Sequence, residues 1–525
     1  MCVAIGFVNR ISRMQHFLTI AFVICLLHSQ HASSQGNARK VNLIHTDELR
    51  FDKSMVDAQR LIGNVHLQTE GTSFFCDSAY LFANDNFDAF SKIRIVEASG
   101  STVNADYLHF EKATNTAILT GNVVLRDRDM TLTTNDLTYL VKEEIARYHS
   151  GGRIVSTTNR NTLTSRQGTY NGKSEVFFFK RDVVLKNPSY TVRSDTMHYK
   201  SASEVTLFYG PTTIDGDSVS IYCENGYYDS RKDESRFGRN AWVRDRTTYL
   251  HGDSIYYNGK VGFGEVFRNV HIRDTTQTFE IMGNYGRHVE ETELSFVTGR
   301  ALLIEVVDED TMFMHADTLK ALPDSAGNQL VYAYHGVRLF KSNFQGMCDS
   351  LVYYQQDSLL WMYKEPILWS AQNQVTGDTL RLAMSNQSLE TAWVLGHAFI
   401  VSDAEANDSV QGPEVYFNQI KGKNATAYFA LNELQTVQVE GNGELVYYPT
   451  DDKKEKPQPM GTNQGECSSI LIRFKEGELA SLRMDGQPAS VFKSNRFAGK
   501  EPLLLRDFNW RSNKRPRHRD DIFIE

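Results

Sequence analysis

The sequence predicts an all-β protein built from repeats of about thirty residues, stacked as an elongated solenoid or jelly roll. Two short patterns recur at this period, and both place apolar residues at the two-residue spacing of a β-strand. No segment sustains apolar residues at helical spacing, and the chain has only 11 prolines, so long paired strands are possible. About twelve such β units account for most of the chain.

The first pattern is a pair of aliphatic residues two positions apart, often entered through Gly-Asn. GNVHL at 63–67 and GNVVL at 121–125 are clear copies. Because side chains alternate along a strand, both members of a pair share a face, and we expect that face to line an apolar interior. The candidate interior pairs are Val65 with Leu67, Val123 with Leu125, Val183 with Leu185, Val270 with Ile272, and Val337 with Leu339.

The second pattern is an Asp or Asn followed at +2 by an aliphatic residue and usually at +4 by an aromatic residue or Leu. In NDLTY, strand alternation predicts that Asn135, Leu137 and Tyr139 share a face. Glycine tolerates unusual dihedral angles, and Asp or Asn side chains bond nearby backbone N–H groups, so both patterns predict bends between two sheets. The predicted bend residues are Gly63, Asp77, Asp106, Gly121, Asn135, Asp195, Asp253, Asp349 and Asp378.

The first 34 residues have the features of a secretory signal peptide. Arg10 and Arg13 precede the apolar run 17–27, and the small residues Ala32 and Ser34 follow it. No later segment reaches eighteen consecutive apolar residues, so no transmembrane helix is expected after cleavage. Loss of the two arginines takes the formal net charge from −8 to about −10, which argues against nucleic acid as a partner.

Changes in the repeat suggest further boundaries. We expect a first β-jelly roll over 35–205, a second β-repeat region over 206–410 and a terminal repeat over 411–448. The polar, proline-containing stretch 449–466 is typical of a linker. A hairpin and a basic tail are expected over 467–525, the tail being either a solvated end or a contact for an anionic lipid or partner.

The sequence does not predict a catalytic or metal site. The motif acids are spread one per repeat, mostly before Ser or Thr, which favours a structural role at bends. The 15 histidines form no His-x-x-x-His pair, and no Cys-x-x-Cys is present, so no metal or other cofactor is expected. Cys76, Cys223 and Cys348 occupy equivalent places in different repeats, too far apart for disulfides, and should be small buried residues.

The units IGNVHLQTEGTSFFCDSAYL and TGNVVLRDRDMTLTTNDLTYL resemble the OstA/LptA-like family of periplasmic lipopolysaccharide-transport proteins, especially its long Bacteroidetes-type form. The resemblance is specific over about residues 41 to 200 and weakens beyond 410. It implies a taco-shaped β-jelly roll whose apolar interior holds lipopolysaccharide acyl chains, located in the periplasm or at the outer membrane. It also implies that exposed edge strands pair head to tail with other jelly-roll transport modules or with another copy.

Two other functions stay open at this point: a structural or adhesive surface β-solenoid, and a degenerate carbohydrate-active β-solenoid enzyme. The lipid carrier would use the aliphatic pairs, whereas the enzyme would use the motif acids. The sequence also leaves open whether the interior is an open groove or a closed core.

Overall fold

The computed structural model describes residues 41–51, 56–69, 71–98, 100–127, 130–156, 161–244, 248–274, 279–307, 310–385, 388–404, 416–430, 433–449, 460–475, 478–494 and 502–524. The predicted signal peptide and residues 450–459 of the predicted linker lie outside the described residues. Strand accounts for 76% of the structure. The described pairings are antiparallel between successive segments, which confirms the all-β, repeat-built prediction.

The chain divides into two compact units, which we call the N-terminal unit (up to Val266) and the C-terminal unit (from Phe267). The domain boundaries expected at 205 and 410 stay predictions. Strands of the N-terminal unit are β1 Asn42–His45, β2 Glu48–Phe51, β3 Ala58–Thr69, β4 Thr72–Phe82, β5 Phe87–Val96, β6 Thr102–Glu111, β7 Thr116–Arg126, β8 Met130–Leu140, β9 Ile145–Tyr148, β10 Gly152–Ser156, β11 Thr162–Ser165, β12 Gln167–Asn171, β13 Val176–Asn187, β14 Tyr190–Lys200, β15 Val205–Gly216, β16 Ser220–Asp229, β17 Glu234–Arg244 and β18 Thr248–Asn258.

The unit boundary falls within β19, Phe263–Asp274. The remaining strands are β20 Phe279–Val289, β21 Leu294–Val307, β22 Asp310–Pro323, β23 Gln329–Phe340, β24 Phe344–Tyr354, β25 Leu359–Tyr363, β26 Ile367–Ser370, β27 Asn373–Thr376, β28 Thr379–Ser385, β29 Ser388–Asp403, β30 Phe417–Ala430, β31 Glu433–Tyr447, β32 Gly461–Lys475, β33 Glu478–Asp485 and β34 Ala489–Ser494. Two short 3₁₀ helices follow, Ser512–Lys514 and Arg519–Phe523.

The C-terminal region differs from expectation in two places. β32 begins at Gly461, where it pairs with Ser494, so residues 461–466 belong to a strand rather than to a linker. The basic tail is not a solvated end, because Leu505 and Ile522 are buried against the C-terminal unit. Glutamine side chains and aromatic rings of the unit bind this tail, as described below.

Most repeats fold as two long antiparallel strands that bend at the middle, and in two regions, β9–β12 and β25–β28, the halves are separate short strands. In the pair β7 and β8, Thr120 lies opposite Asp136 and Val123 lies opposite Thr134, so two residues of β7 face one residue of β8. This is a β-bulge, and it bends the strand. The bend divides each strand into two halves, and the corresponding halves of neighbouring strands form a first and a second half-sheet.

The two bulged residues adopt left-handed backbone angles, and we call them a corner pair. At Gly121 and Asn122 the φ angles are 75° and 46°. Only a few residue types adopt such angles readily, Gly and Asn first among them, which explains the Gly-Asn signature. Corner pairs recur as Gly63-Asn64, Ser91-Lys92, Gly121-Asn122, Arg181-Asp182, Arg239-Asn240, Arg268-Asn269, Gly299-Arg300, His335-Gly336, Lys364-Glu365, Gly396-His397 and Gly441-Asn442.

The motif acids lie opposite the corner pairs and bind them. Asn122 donates a hydrogen bond from Nδ2 to Asp106 Oδ2 at 2.7 Å. Lys364 Nζ lies 3.1 Å from Asp349 Oδ2, and hydrogen bonds from Ser350, Lys364 and His335 lower the pKa of Asp349 to about 2. The predicted bend residues Asp77, Asn135, Asp195, Asp253 and Asp378 occupy the equivalent corner position.

The bend changes the alternation of side chains, so one prediction is wrong. Thr134 and Leu137 are both buried, whereas Asn135 between them is exposed. At the corner, the two successive inward-facing residues, Thr134 and Leu137, are three positions apart instead of two. Asn135 therefore does not share a face with Leu137 and Tyr139.

Replacing Gly121 by alanine is expected to destabilise the N-terminal unit by about 1–3 kcal/mol. The φ angle is left-handed, and an added Cβ would lie 2.6 Å from Asp106 Oδ2. Gly100→Ala is the matched control, because its φ of 91° is also left-handed but no atom lies within 4 Å of the added Cβ. Urea unfolding followed by circular dichroism measures both, and equal effects would show that the contact with Asp106 contributes nothing.

All four cysteines in the described part of the chain are free and buried, as predicted for Cys76, Cys223 and Cys348. Burial raises the pKa of the Cys76 thiol to about 11 and that of Cys223 to about 12. Since the thiolate is the reactive form, alkylation by iodoacetamide at pH 8 should be on the order of a hundredfold slower in the folded chain than in urea. The folded-state rate should rise with pH up to these values; equal rates with and without urea would contradict the buried placement.

Candidate functional site

The two half-sheets of the N-terminal unit enclose an apolar interior. Phe74 lies in the second half-sheet and Phe87 in the first, yet their ring centroids are 5.6 Å apart in an edge-on contact. Phe87 is fully buried and also stacks on Phe110, with centroids at 5.2 Å. The halves therefore fold against each other through their inward side chains.

Six of the ten predicted interior residues lie in this unit, and Val270, Ile272, Val337 and Leu339 lie in the C-terminal unit. Nine of the ten are buried: Val65, Leu67, Val123, Leu125, Val183, Leu185, Val270, Val337 and Leu339. Ile272 is partly buried and packs against the inner cluster of the C-terminal unit. Their contact with a lipid stays a prediction, since burial of this kind is also what a closed core requires.

A cavity of about 160 Å³ lies between the half-sheets of the N-terminal unit. It is bounded by ends of strands from both halves, away from the corners. Its apolar wall consists of Phe74, Ile95, Val103, Phe110, Ala117, Leu119, Leu125, Leu137, Val141 and Ala146. Its polar lining consists of Thr69, Thr72, Glu97, Lys112, Asn115 and Tyr139.

One polar atom in this lining has no protein partner. The Tyr139 hydroxyl is buried, and no described residue forms a hydrogen bond with it. Burial, followed by the charges of Glu97 and Glu144, raises the pKa of Tyr139, so the hydroxyl stays neutral and able to donate. An unsatisfied buried hydroxyl costs about 1–3 kcal/mol, a cost that a bound acceptor such as a carbonyl oxygen would remove.

The volume of the cavity limits the size of the ligand that it can hold. Cavities of roughly 150 Å³ with apolar walls accept a ligand the size of benzene. The cavity of about 160 Å³ therefore has room for a short hydrocarbon segment. Val141 in its lining is 40% exposed, so the cavity lies close to the surface there.

Of the ten candidates from the sequence, Leu125 lines this cavity. The aromatic lining residues were not singled out in the sequence, although a signal for two of them was present. Phe110 and Tyr139 occupy the +4 position of the Asp motif, where an aromatic residue recurs. The +4 position, rather than the aliphatic pair alone, is the better marker of the lining.

Metal sites, membrane-spanning helices and acidic clusters were the other features sought among the described residues. No group of three or more His, Cys, Asp or Glu residues among them is arranged to hold a metal ion. No helix in the described ranges is both long and apolar enough to cross a membrane. The motif acids lie at separate corners, where Asp106 and Asp349 are bound by neighbouring side chains.

Apolar residues are exposed on edge strands. β1 and β2 both pair with β3, and in the described part of the chain neither has a partner on its other side. Ile44, Leu49 and Phe51 on these strands are more than half exposed. In the C-terminal unit, β34 pairs with β32 and exposes Val491 and Phe492.

Part of the chain is similar to known proteins. Residues 38–195 match the family described as OstA-like protein. The crystal structure of LptH, the LptA-homologous periplasmic component of the lipopolysaccharide transport device of Pseudomonas aeruginosa, is 17% identical, with 19% of this chain and 76% of LptH covered and a TM-score of 0.18. No protein with a curated description matches. Residues 38–195, which include the residues that line the cavity, are thus similar to the OstA-like family.

Proposed function

We propose that the protein is a non-enzymatic carrier or bridge for lipopolysaccharide in the periplasm. Its apolar interior binds acyl chains of the lipid, and the protein helps to move the lipid to the outer membrane. The match of residues 38–195 to the OstA-like family supports this proposal, as does the amount of apolar surface that the half-sheets direct inward. No cofactor is required by this function.

The observation that carries the proposal is the cavity of the N-terminal unit. Its wall combines aromatic and aliphatic side chains with one unsatisfied hydroxyl, that of Tyr139. An acyl chain linked through an ester or amide supplies both complements: a hydrocarbon for the wall and a carbonyl oxygen for the hydroxyl. Longer stretches of acyl chain enter when the two half-sheets move apart and expose pairs such as Val123 and Leu125.

The edge strands suggest how the carrier connects to partners. Exposed apolar residues next to unpaired backbone groups favour the addition of another strand. We propose that β1 and β2, or β34, pair head to tail with another jelly-roll transport module or with a second copy.

Binding competition with purified full-length chain tests the acyl proposal. Labelled lipopolysaccharide should bind, and lipid A should displace it, because both carry the acyl chains. Fully deacylated lipopolysaccharide should not compete. If the deacylated saccharide competes and lipid A does not, the result would instead support the carbohydrate-active alternative. If the chain does not bind lipopolysaccharide at all, the carrier proposal is rejected.

A further inference from the structure

The C-terminal segment 502–524, which we call the strap, lies on the outer face of the C-terminal unit. Along β29, Ala398 and Ile400 belong to the inner cluster, whereas Phe399 and Val401 point to the opposite face. There they form a separate apolar cluster that includes Leu505 of the strap. The strap therefore covers apolar surface on the outside of the sheet, away from the interior.

A buried glutamine binds the strap through its backbone. Gln419 donates from Nε2 to the carbonyl oxygen of Leu503 at 2.9 Å, and its Oε1 accepts from the Leu505 N–H at 2.8 Å. The side chain of Gln419 is fully buried. Its carboxamide thus binds a C=O and an N–H two residues apart, on one edge of the strap.

A second glutamine repeats the arrangement six residues further along the strap. Gln374 donates to the carbonyl oxygen of Asn509 at 2.7 Å and accepts from the Arg511 N–H at 2.7 Å. This i and i+2 spacing is how an extended chain presents its backbone groups to a neighbouring β-strand. All four hydrogen bonds are to backbone atoms of the strap, so the two glutamines recognise its backbone rather than its side chains.

Side-chain contacts fix the register of the strap. The ring of Phe417 lies 5.1 Å from that of Phe508 and 5.2 Å from that of Trp510. The Tyr448 hydroxyl accepts from the Leu503 N–H at 2.8 Å. Aromatic anchors combined with backbone hydrogen bonds are the means by which proteins bind extended peptides.

We propose that the strap is an exchangeable peptide ligand, and that its groove also binds the strap of a second copy of this chain. The groove is formed by Gln374, Val401, Phe417, Gln419, Val446 and Tyr448. Seven residues, 495–501, join β34 to the strap and reach about 25 Å when extended. Because the two copies are identical, a reciprocal exchange satisfies the same contacts in both. This proposal is independent of lipid binding.

A peptide added in trans tests the groove. In a full chain with Phe508→Ala and Trp510→Ala, the chain's own strap should bind the groove weakly. This variant should therefore bind a labelled synthetic peptide of residues 502–524 at least roughly tenfold more tightly than the unmodified chain does. In the unmodified chain the tethered strap competes with the peptide. Adding Gln374→Ala and Gln419→Ala should lower that affinity roughly tenfold or more, since four hydrogen bonds are lost. With circular dichroism confirming that all variants are folded, equal peptide affinities would overturn the proposal.

Hydrogen exchange on the unmodified chain provides a test that needs no variant. The amides of Leu505 and Arg511 donate to the two glutamines and should exchange more slowly than in the free peptide. A saturating excess of unlabelled peptide should speed their exchange in the protein, because the chain's own strap is displaced. Exchange as fast as in the free peptide would show that the strap does not dock; protection unaffected by the peptide would show that it does not exchange.

Discussion

Replacement of Ala117 by phenylalanine is expected to lower the affinity for lipopolysaccharide at least roughly tenfold. Ala117 lies in the wall of the cavity, and the change adds a benzene-sized group to a space of about 160 Å³. The new ring takes the place of the acyl segment that we assign to this cavity. The measurement is equilibrium binding of labelled lipopolysaccharide to the purified full chain.

The matched control is Ile118→Phe on the same strand. Ile118 points outward and is 38% exposed, so an added ring there leaves the cavity unchanged. Lipopolysaccharide binding should equal that of the unmodified chain. If Ala117→Phe binds as well as this control while remaining folded, the lipid does not use the cavity.

Replacement of Phe87 by alanine should reduce the free energy of unfolding by about 3–5 kcal/mol. Phe87 is fully buried and contacts Phe74 in the opposite half-sheet as well as Phe110 beside it. Its removal leaves a cavity where the two half-sheets meet, and packing on both sides is lost. Urea unfolding monitored by circular dichroism measures the change.

Phe90→Ala provides the comparison on the outer face of the same strand. Phe90 is half-buried and contacts Tyr80 and Tyr107 in a row of aromatic rings outside the sheet. Its loss should cost clearly less than that of Phe87, since part of the ring is already in water. Equal costs would mean that the interior contact between the half-sheets contributes no more than the outer row.

The local features of the fold were predictable because each repeat carries its own signal. Alternation at Val123 and Leu125 identifies an inward face, and Gly121-Asn122 marks a left-handed corner. These are properties of neighbouring residues in one strand. The alternation rule failed at Asn135 because a bulge adds a residue on the opposite strand, and a pattern read along one strand does not include its partner.

Features that join distant parts of the chain were not predictable in the same way. The cavity depends on the distance between half-sheets, which the pattern within one strand does not determine. The docked strap depends on Gln374 and Gln419, which lie 135 and 84 residues from the strap carbonyls that they bind. Nothing in the sequence near either glutamine distinguishes it from an ordinary outward-facing polar residue on a strand.

Photo-crosslinking in intact cells tests the central claim, that the interior of the N-terminal unit holds the lipid. A benzophenone amino acid replaces Tyr139, which lines the cavity, or Tyr107, which lies on the outer face. The account predicts that the probe at Tyr139 forms a crosslink to lipopolysaccharide and that the probe at Tyr107 does not. Crosslinks from Tyr107 alone, or from neither position in a folded and exported chain, would contradict it.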